Sequence, residues 1–283
     1  MPTAPQPTLF ATELPRLPAK IGIADVVESN STHLLNVAKG RIGSFDYTLN
    51  PYRGCSFGCS YCYAPFFEPD EDKRSDWGKW VEVKQRTLDS LQKADLFDKR
   101  IFMSSVTDPY QPLEAKTRFT RSIVEVLRDR GARLVVQTRS PIVERDIDLF
   151  KGFRSIRINL SIPTDSDEVR RAFEPQCASI DRRLQTVKKL KDAGLEVAVC
   201  IAPMLPMEDP SLFGEKLNEL KVDRLTATFF HDAGKPFVAG TRPEALEIAK
   251  TLGWTRESFL RNKTQLERTC PALMSSAQAF GPS

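Results

Sequence analysis

The chain has 283 residues, 41% hydrophobic and 28% charged, with a formal net charge of +4. That length and composition suit a soluble globular protein with an ample core, in one large domain or two small ones. They exclude a disordered chain, and no apolar run reaches the ~20 residues that a membrane span needs. The mild positive charge neither demands nor excludes nucleic acid. Met1–Pro7 (MPTAPQP) lacks the basic region and apolar stretch of a secretory signal, so the expected location is the cytoplasm.

Residues 1–43, Pro-rich at first, read as an N-terminal extension that packs partly on the core. Phe45–Leu49 alternates as a strand does and leads into a loop with three cysteines. The acidic run Glu68–Asp72 reads as a solvated loop, and Val81–Leu96 has the apolar spacing of a helix. Arg100–Ser104 reads as a strand, Ser105–Lys116 as a polar loop, and Arg118–Arg130 as a helix closed by Gly131. Arg133–Gln137 is a predicted strand, and Ile142–Phe150 a helix begun by Pro141. Ser155–Leu160, Leu195–Ile201 and Arg224–Phe230 continue the strands, separated by helices over Asp181–Ala193 and Pro210–Leu220. Residues 44–232 thus form a core of six strand–helix units. They predict an α/β fold with a parallel sheet curved into a partial (β/α)6 TIM-like barrel. Residues 233–283 add C-terminal helices, Arg242–Leu252 and Thr255–Glu267.

Cys55, Cys59 and Cys62 stand at CxxxCxxC spacing in Asn50–Tyr63 (NPYRGCSFGCSYCY). Three thiolates from so short a loop suit an iron–sulfur cluster. A fully protein-held 4Fe–4S cluster takes four such ligands, so a loop with three leaves one iron open to a small molecule, as the open position does in catalytic zinc sites. Half of a structural zinc site is the alternative, and it needs a fourth Cys or His at a suitable distance. The remaining cysteines, Cys177, Cys200 and Cys270, are scattered, and the histidines are His33 and His231. A disulfide framework fits poorly with three of six cysteines in one loop.

In parallel barrels the active site lies at the carboxyl ends of the strands. Here each apolar run turns polar at that end: Ser104, Ser105, Thr107 and Asp108 after the second strand, Thr138–Ser140 after the third, and Ser161 and Thr164 after the fourth. Met204 follows the fifth, and His231 and Asp232 the sixth. Lys116 to Arg157 carries a local basic excess, which reads either as solvated helix faces or as a patch facing phosphate.

These residues resemble the radical S-adenosylmethionine (SAM) superfamily, in particular the branch of spore photoproduct lyase and the DNA repair photolyase-like proteins. The matching stretches are Leu49–Ala64, Ser105–Pro112 (SVTDPYQP), Thr138–Pro141, Asn159–Ser161, Phe173–Pro175 and Ala202–Pro206. The resemblance implies that Cys55, Cys59 and Cys62 hold a 4Fe–4S cluster whose fourth iron chelates SAM. Reductive cleavage would then yield methionine and a 5′-deoxyadenosyl radical that abstracts hydrogen from substrate. It implies an electron donor such as a flavodoxin or ferredoxin, and it admits a nucleic-acid partner. By position, Tyr61 would pack near the adenine and Tyr63 would line the cofactor pocket. Ser161 would contact the ribose or methionyl carboxylate region, and Arg139 would bind the carboxylate. Ser105 is expected on the same cofactor-facing rim. It stands where spore photoproduct lyase has a hydrogen-donating cysteine, which puts that lyase's own reaction in doubt and leaves Cys177 or Cys200 as substitute thiols. Glu174–Pro175 is expected to be structural, with Arg182 or Arg183 as the carboxylate's partner.

Overall fold

The computed structural model describes residues 16–230 and 240–282. Its strands in chain order are β1 (Lys20–Ile21), β2 (Ala24–Glu28), β3 (Leu35–Val37), β4 (Tyr47–Leu49), β5 (Tyr52–Gly54) and β6 (Trp80–Val83). They continue with β7 (Arg100–Met103), β8 (Arg133–Thr138), β9 (Ile156–Ser161), β10 (Glu196–Ile201) and β11 (Arg224–Ala227). The main sheet runs β11-β10-β9-β8-β7-β4-β3, with β3 antiparallel at its edge and the other six strands parallel. The six-stranded partial barrel expected from the sequence is therefore the observed fold.

Register sorts the side chains of this sheet into two faces, because residues paired across parallel strands share a face. Met103, Val136, Ile158 and Val197 align on one side, as do Thr138, Leu160, Val199 and Leu225. This outer face is almost wholly apolar and joins Phe119, Ile123, Leu127, Val187, Leu190, Phe213 and Leu217 of the crossover helices in the main core. Gln137, Asn159 and Ala198 align on the opposite face, followed by Ser161, Cys200 and Thr226. That inner face is polar toward the carboxyl ends of its strands. Nearer the amino ends Phe102 and Val135 pack with Ala38 and Phe45 in a small separate cluster.

Helix boundaries follow local chemistry. Phe119–Asp129 buries Phe119, Ile123, Val124 and Leu127, the spacing of one helical face. Ser179 caps Ile180–Asp192 by accepting from Arg182 N at 3.2 Å, and Asp209 caps Pro210–Glu219 by accepting from Leu212 N at 2.9 Å. The C-terminal segment closes the β11 edge: Leu225 N donates to Ala272 O and Met274 N donates to Leu225 O. No helix among the described residues is long and apolar enough to cross a membrane.

Three local expectations need correction. Val81–Leu96 does not form one helix: Trp80–Val83 is β6, followed by short helical turns at Gln85–Thr87 and Leu88–Lys93. Val81 and Val83 are β-branched, and β6 is buried between β2 and β5, so tertiary pairing overrides helical spacing. The second sheet, β1-β2-β6-β5, had no counterpart in the predicted elements. Glu68–Asp72 is solvated over residues 69–72, as expected, but it is not all loop: Glu68 is buried against Arg53 at 2.5 Å, and Asp70 caps a short helix over Glu71–Ser75. Residues 141–150 wind first as a 3-10 segment, Pro141–Asp146, and become α-helical only over Ile147–Phe150.

Candidate active site at the cysteine loop

β5 delivers the chain into the cysteine loop. Gly54 has φ +78, and a Cβ there would lie 2.6 Å from the Trp80 carbonyl oxygen, so this entry requires glycine. Gly58 meets Gly78 closely enough that a Cβ on Gly78 would fall 2.9 Å from the Gly58 Cα. The segment after β7 holds the loop from one side. Gln111 Oε1 accepts from Ser56 N at 2.8 Å, and Thr107 Oγ1 donates to Gly54 O at 2.6 Å. Asn50 Oδ1 braces that segment in turn, accepting from Ser105 N and Val106 N. From the other side Phe173 O accepts from Ser60 N at 3.0 Å.

Cys55 and Cys59 are buried and Cys62 is partly buried. Burial, Asp108 and the other loop thiols push the Cys55 thiol well above its usual range. Burial and Cys59 push Cys62 up to about 11. Cys59 moves the other way, lowered by a hydrogen bond with Cys177 and, against the cost of burial, by Arg139. Cys55 and Cys62, whose ionisation burial and the neighbouring thiols oppose, would be stabilised as thiolates by a cationic centre. The spacing and softness of the three thiols fit an iron–sulfur cluster.

Arg139, at the end of β8, reaches this loop. Its Nη1 donates to Cys59 Sγ at 3.1 Å, to the Tyr61 hydroxyl at 2.6 Å and to Glu174 Oε1 at 2.6 Å. Its guanidinium lies over the Tyr61 ring at 5.7 Å. Asp108, just past β7, positions it: Asp108 Oδ2 accepts from Arg139 N at 2.9 Å and Oδ1 accepts from Thr138 Oγ1 at 2.7 Å. Burial raises the Asp108 carboxyl above its ordinary value despite those contacts.

Glu174 is the opposite pole. Its Oε1 accepts from Tyr61 and Arg139, and its Oε2 accepts from Arg183 Nη2 at 2.6 Å. Burial disfavours its charge, but Arg183 and Arg139 outweigh burial and hold the carboxyl below its usual range. Of the two partners the sequence suggested, Arg182 and Arg183, the structure selects Arg183. The further contacts of Glu174 with Tyr61 and Arg139 were not foreseen, and no local spacing announces them.

The other anticipated residues are placed around this hub. Ser161 ends β9 on the inner face; its Oγ accepts from Gln137 Nε2 at 2.9 Å and its carbonyl accepts from Arg183 at 3.1 Å. It reaches the cysteines only through Arg183, Glu174 and Arg139. Tyr63 and Ser105 form a pair, with the Tyr63 hydroxyl donating to the Ser105 carbonyl. Ser105 Oγ accepts from Asn50 Nδ2 at 3.3 Å. Of the two substitute thiols, Cys200 faces inward beside Gln137, and Cys177 faces Cys59 with 3.9 Å between sulfurs. His231 and Asp232 lie outside the described residues. Among the described residues, two buried atoms near the carboxyl ends of these strands lack a partner: Ser104 Oγ, past the end of β7, and Asn159 Nδ2 on the inner face of β9.

Much of the basic run is engaged internally. Arg121 pairs with Asp146 and Asp148, Arg133 and Arg154 with Asp98, Arg145 with Glu114, and Arg139 with Glu174. These pairings favour structural faces over a free phosphate-facing patch.

Comparison with known proteins places the geometry. Residues 49–220, well over half of the chain, match the radical SAM superfamily. An uncharacterised protein of Methanocaldococcus jannaschii is 36% identical over 166 residues, 59% of this chain and 63% of that relative's length. An uncharacterised protein of Acidianus two-tailed virus is 28% identical over 226 residues, covering 73% of this chain and 74% of that protein. Among solved structures, spore photoproduct lyase complexed with dinucleoside spore photoproduct superposes with a TM-score of 0.59 at 18% identity, over 88% of this chain and 80% of that one. A mutant of that lyase with bound AdoMet and the same dinucleoside superposes equally well, at 17% identity over 93% and 87% of the two chains. At these identities the likeness to the lyase is one of fold.

Proposed function

This chain belongs to the radical SAM superfamily, and on that premise we propose that it is an enzyme that reductively cleaves SAM at a 4Fe–4S cluster. The observation that carries the reading is the buried three-thiol loop at the carboxyl ends of a parallel barrel whose inner face is polar and incompletely hydrogen-bonded. Cys55, Cys59 and Cys62 would hold the cluster. When bound, cluster and cofactor would supply one electron and a carbon radical that takes hydrogen from substrate.

The chain's own residues have distinct tasks in that reading. Arg139 places a guanidinium against the Cys59 sulfur, where it offsets negative charge on the thiolate. Tyr61 is fixed by Arg139 and Glu174, which leaves its ring as a rigid wall. The segment Ser105–Gln111 keeps the loop from opening by binding Gly54, Ser56 and Asn50. A carbon radical requires a site that excludes water, a task the barrel interior would serve.

For the substrate we propose a neutral, hydrogen-bonding group seated against Ser104, Gln137, Asn159 and Cys200, such as a base of a nucleic acid, including a damaged one. The amide of Asn159 has a free donor, and the inner face there carries no unpaired carboxylate among the described residues. Ser105 is held by Asn50 and Tyr63 and offers no thiol, so Cys200 is the inward thiol available for hydrogen return to a product radical. That difference from the lyase also favours a second substrate class, a tRNA, peptide or metabolite that the enzyme would modify. The test is anaerobic reconstitution with iron and sulfide, then dithionite and SAM, with 5′-deoxyadenosine and methionine measured by chromatography. Equimolar formation of both supports the reading; a fully loaded protein that makes neither sinks it.

A further inference from the structure

Cys177 is the one thiol outside the CxxxCxxC loop that touches it, and its place is set independently of the loop. Its amide donates to Glu174 O at 3.0 Å, and its carbonyl accepts from Arg170 Nη1 at 2.9 Å. These bonds fold the chain after the helix Asp167–Phe173 into a turn that aims the side chain inward. The thiol is 7% exposed, and its sulfur lies 3.9 Å from Cys59 Sγ. Arg139 Nη1 approaches the same Cys59 sulfur at 3.1 Å. Among the described residues, neither Cys55 nor Cys62 has a comparable side-chain donor at its sulfur.

We propose that Cys177 is a hydrogen-bond donor to the Cys59 ligand sulfur and that it sets the cluster's reduction potential. This rests on the reading of the loop as a cluster site. A ligand sulfur has no proton, so within the pair only Cys177 has one to give. Hydrogen bonds to ligand sulfurs stabilise the extra electron of the reduced cluster and raise its potential. In a buried, low-dielectric site even a weak S–H donor has leverage. Cys177 does not act as a ligand to a second iron: sulfurs about 3.8 Å apart span one edge of a single tetrahedral metal with bonds of about 2.3 Å. A cluster iron held by Cys59 would take its remaining ligands from inorganic sulfide, which would leave no place for a second thiolate. Arg139 and Cys177 together thus make Cys59 the most heavily hydrogen-bonded corner of the loop.

The experiment compares the cluster-loaded parent, Cys177→Ala and Cys177→Ser by redox titration followed by EPR, with iron and sulfide counted per chain. Cys177→Ala is expected to keep its iron and sulfide while its midpoint falls. At a fixed potential near the parent midpoint the reduced-to-oxidised ratio should drop about tenfold, equivalent to about 59 mV for a one-electron couple. Cys177→Ser keeps a donor and should stay closer to the parent. Equal midpoints in parent and Cys177→Ala overturn the proposal. Loss of cluster iron from both variants makes Cys177 a ligand and overturns it as well. A parent that takes up zinc and no iron–sulfur cluster overturns the reading of the site, a failure distinct from unchanged potentials. None of these readouts depends on turnover.

Discussion

The two faces of the main sheet are built from the same six parallel strands and have opposite character. Outward, Ile158, Leu160, Val197 and Val199 are buried under the crossover helices with no polar atom to satisfy. Inward, Gln137, Asn159, Ser161 and Cys200 are largely buried yet polar, and Asn159 Nδ2 has no partner. Burial alone therefore does not identify the core of this protein; strand parity does. One face stores stability, and the other carries a polar network, Gln137 with Ser161 and Cys200, beside an amide donor of Asn159 that no described residue satisfies.

The sharpest way to separate the faces is at the hub between them. Cys59→Ala should abolish cluster assembly altogether, seen as loss of bound iron and of visible absorbance, while the metal-free protein stays folded. Glu174→Gln is expected to cost stability as well. It leaves the Arg139 and Arg183 guanidiniums buried without their counter-charge, a loss of about 3–5 kcal/mol for a broken buried pair, measurable by denaturant unfolding of the metal-free chain. A change below about 1 kcal/mol would mean the arginines find solvent instead.

The same carboxylate has a pH signature. Its folded-state pKa lies below the usual value of 4.5, so its contribution is complete above that pH and is lost as pH falls through the folded value. The parent's melting temperature should therefore drop steeply below pH 4.5, and Glu174→Gln should flatten part of that drop. Parallel pH curves for the two proteins would rule out this assignment. On the outer face, Ile158→Ala should cost about 2–5 kcal/mol through lost burial and a cavity. Cluster content should be unaffected once the protein is folded at low temperature.

How much of this was readable beforehand divides along similar lines. The six parallel strands were legible because each is a short apolar run that turns polar at its carboxyl end, as in Arg133–Thr138 and Ile156–Ser161. The second sheet was not. Its strands have two to five residues and come from three separated stretches, so only long-range pairing defines them. Within the site, the cysteine spacing spoke for itself, whereas Arg139 and Tyr61 were singled out through family resemblance. Cys177 carried no signal of its contact with Cys59. Its distance from the loop in sequence is arbitrary, and the meeting depends on the turn after Asp167–Phe173. Cys200 stood in the sequence as one of two substitute thiols, and its pairing with Ser161 and Thr226 places it on the inner face.

The smallest expected effect tests the comparison most closely. Ser104 has φ +77 and a buried hydroxyl without a partner. An unsatisfied buried hydroxyl carries its full desolvation cost, about 1–3 kcal/mol. Ser104→Ala keeps the backbone conformation and removes that cost, so the metal-free protein should be unchanged or more stable by up to about 1 kcal/mol. An outer-face truncation of similar size has no such compensation. If the inner face is poised for a ligand, the same substitution should slow 5′-deoxyadenosine formation in the loaded enzyme while leaving its iron content intact. A clear loss of stability in Ser104→Ala would show that the hydroxyl is satisfied within the protein. The inner face would then be a second core rather than a receptive surface.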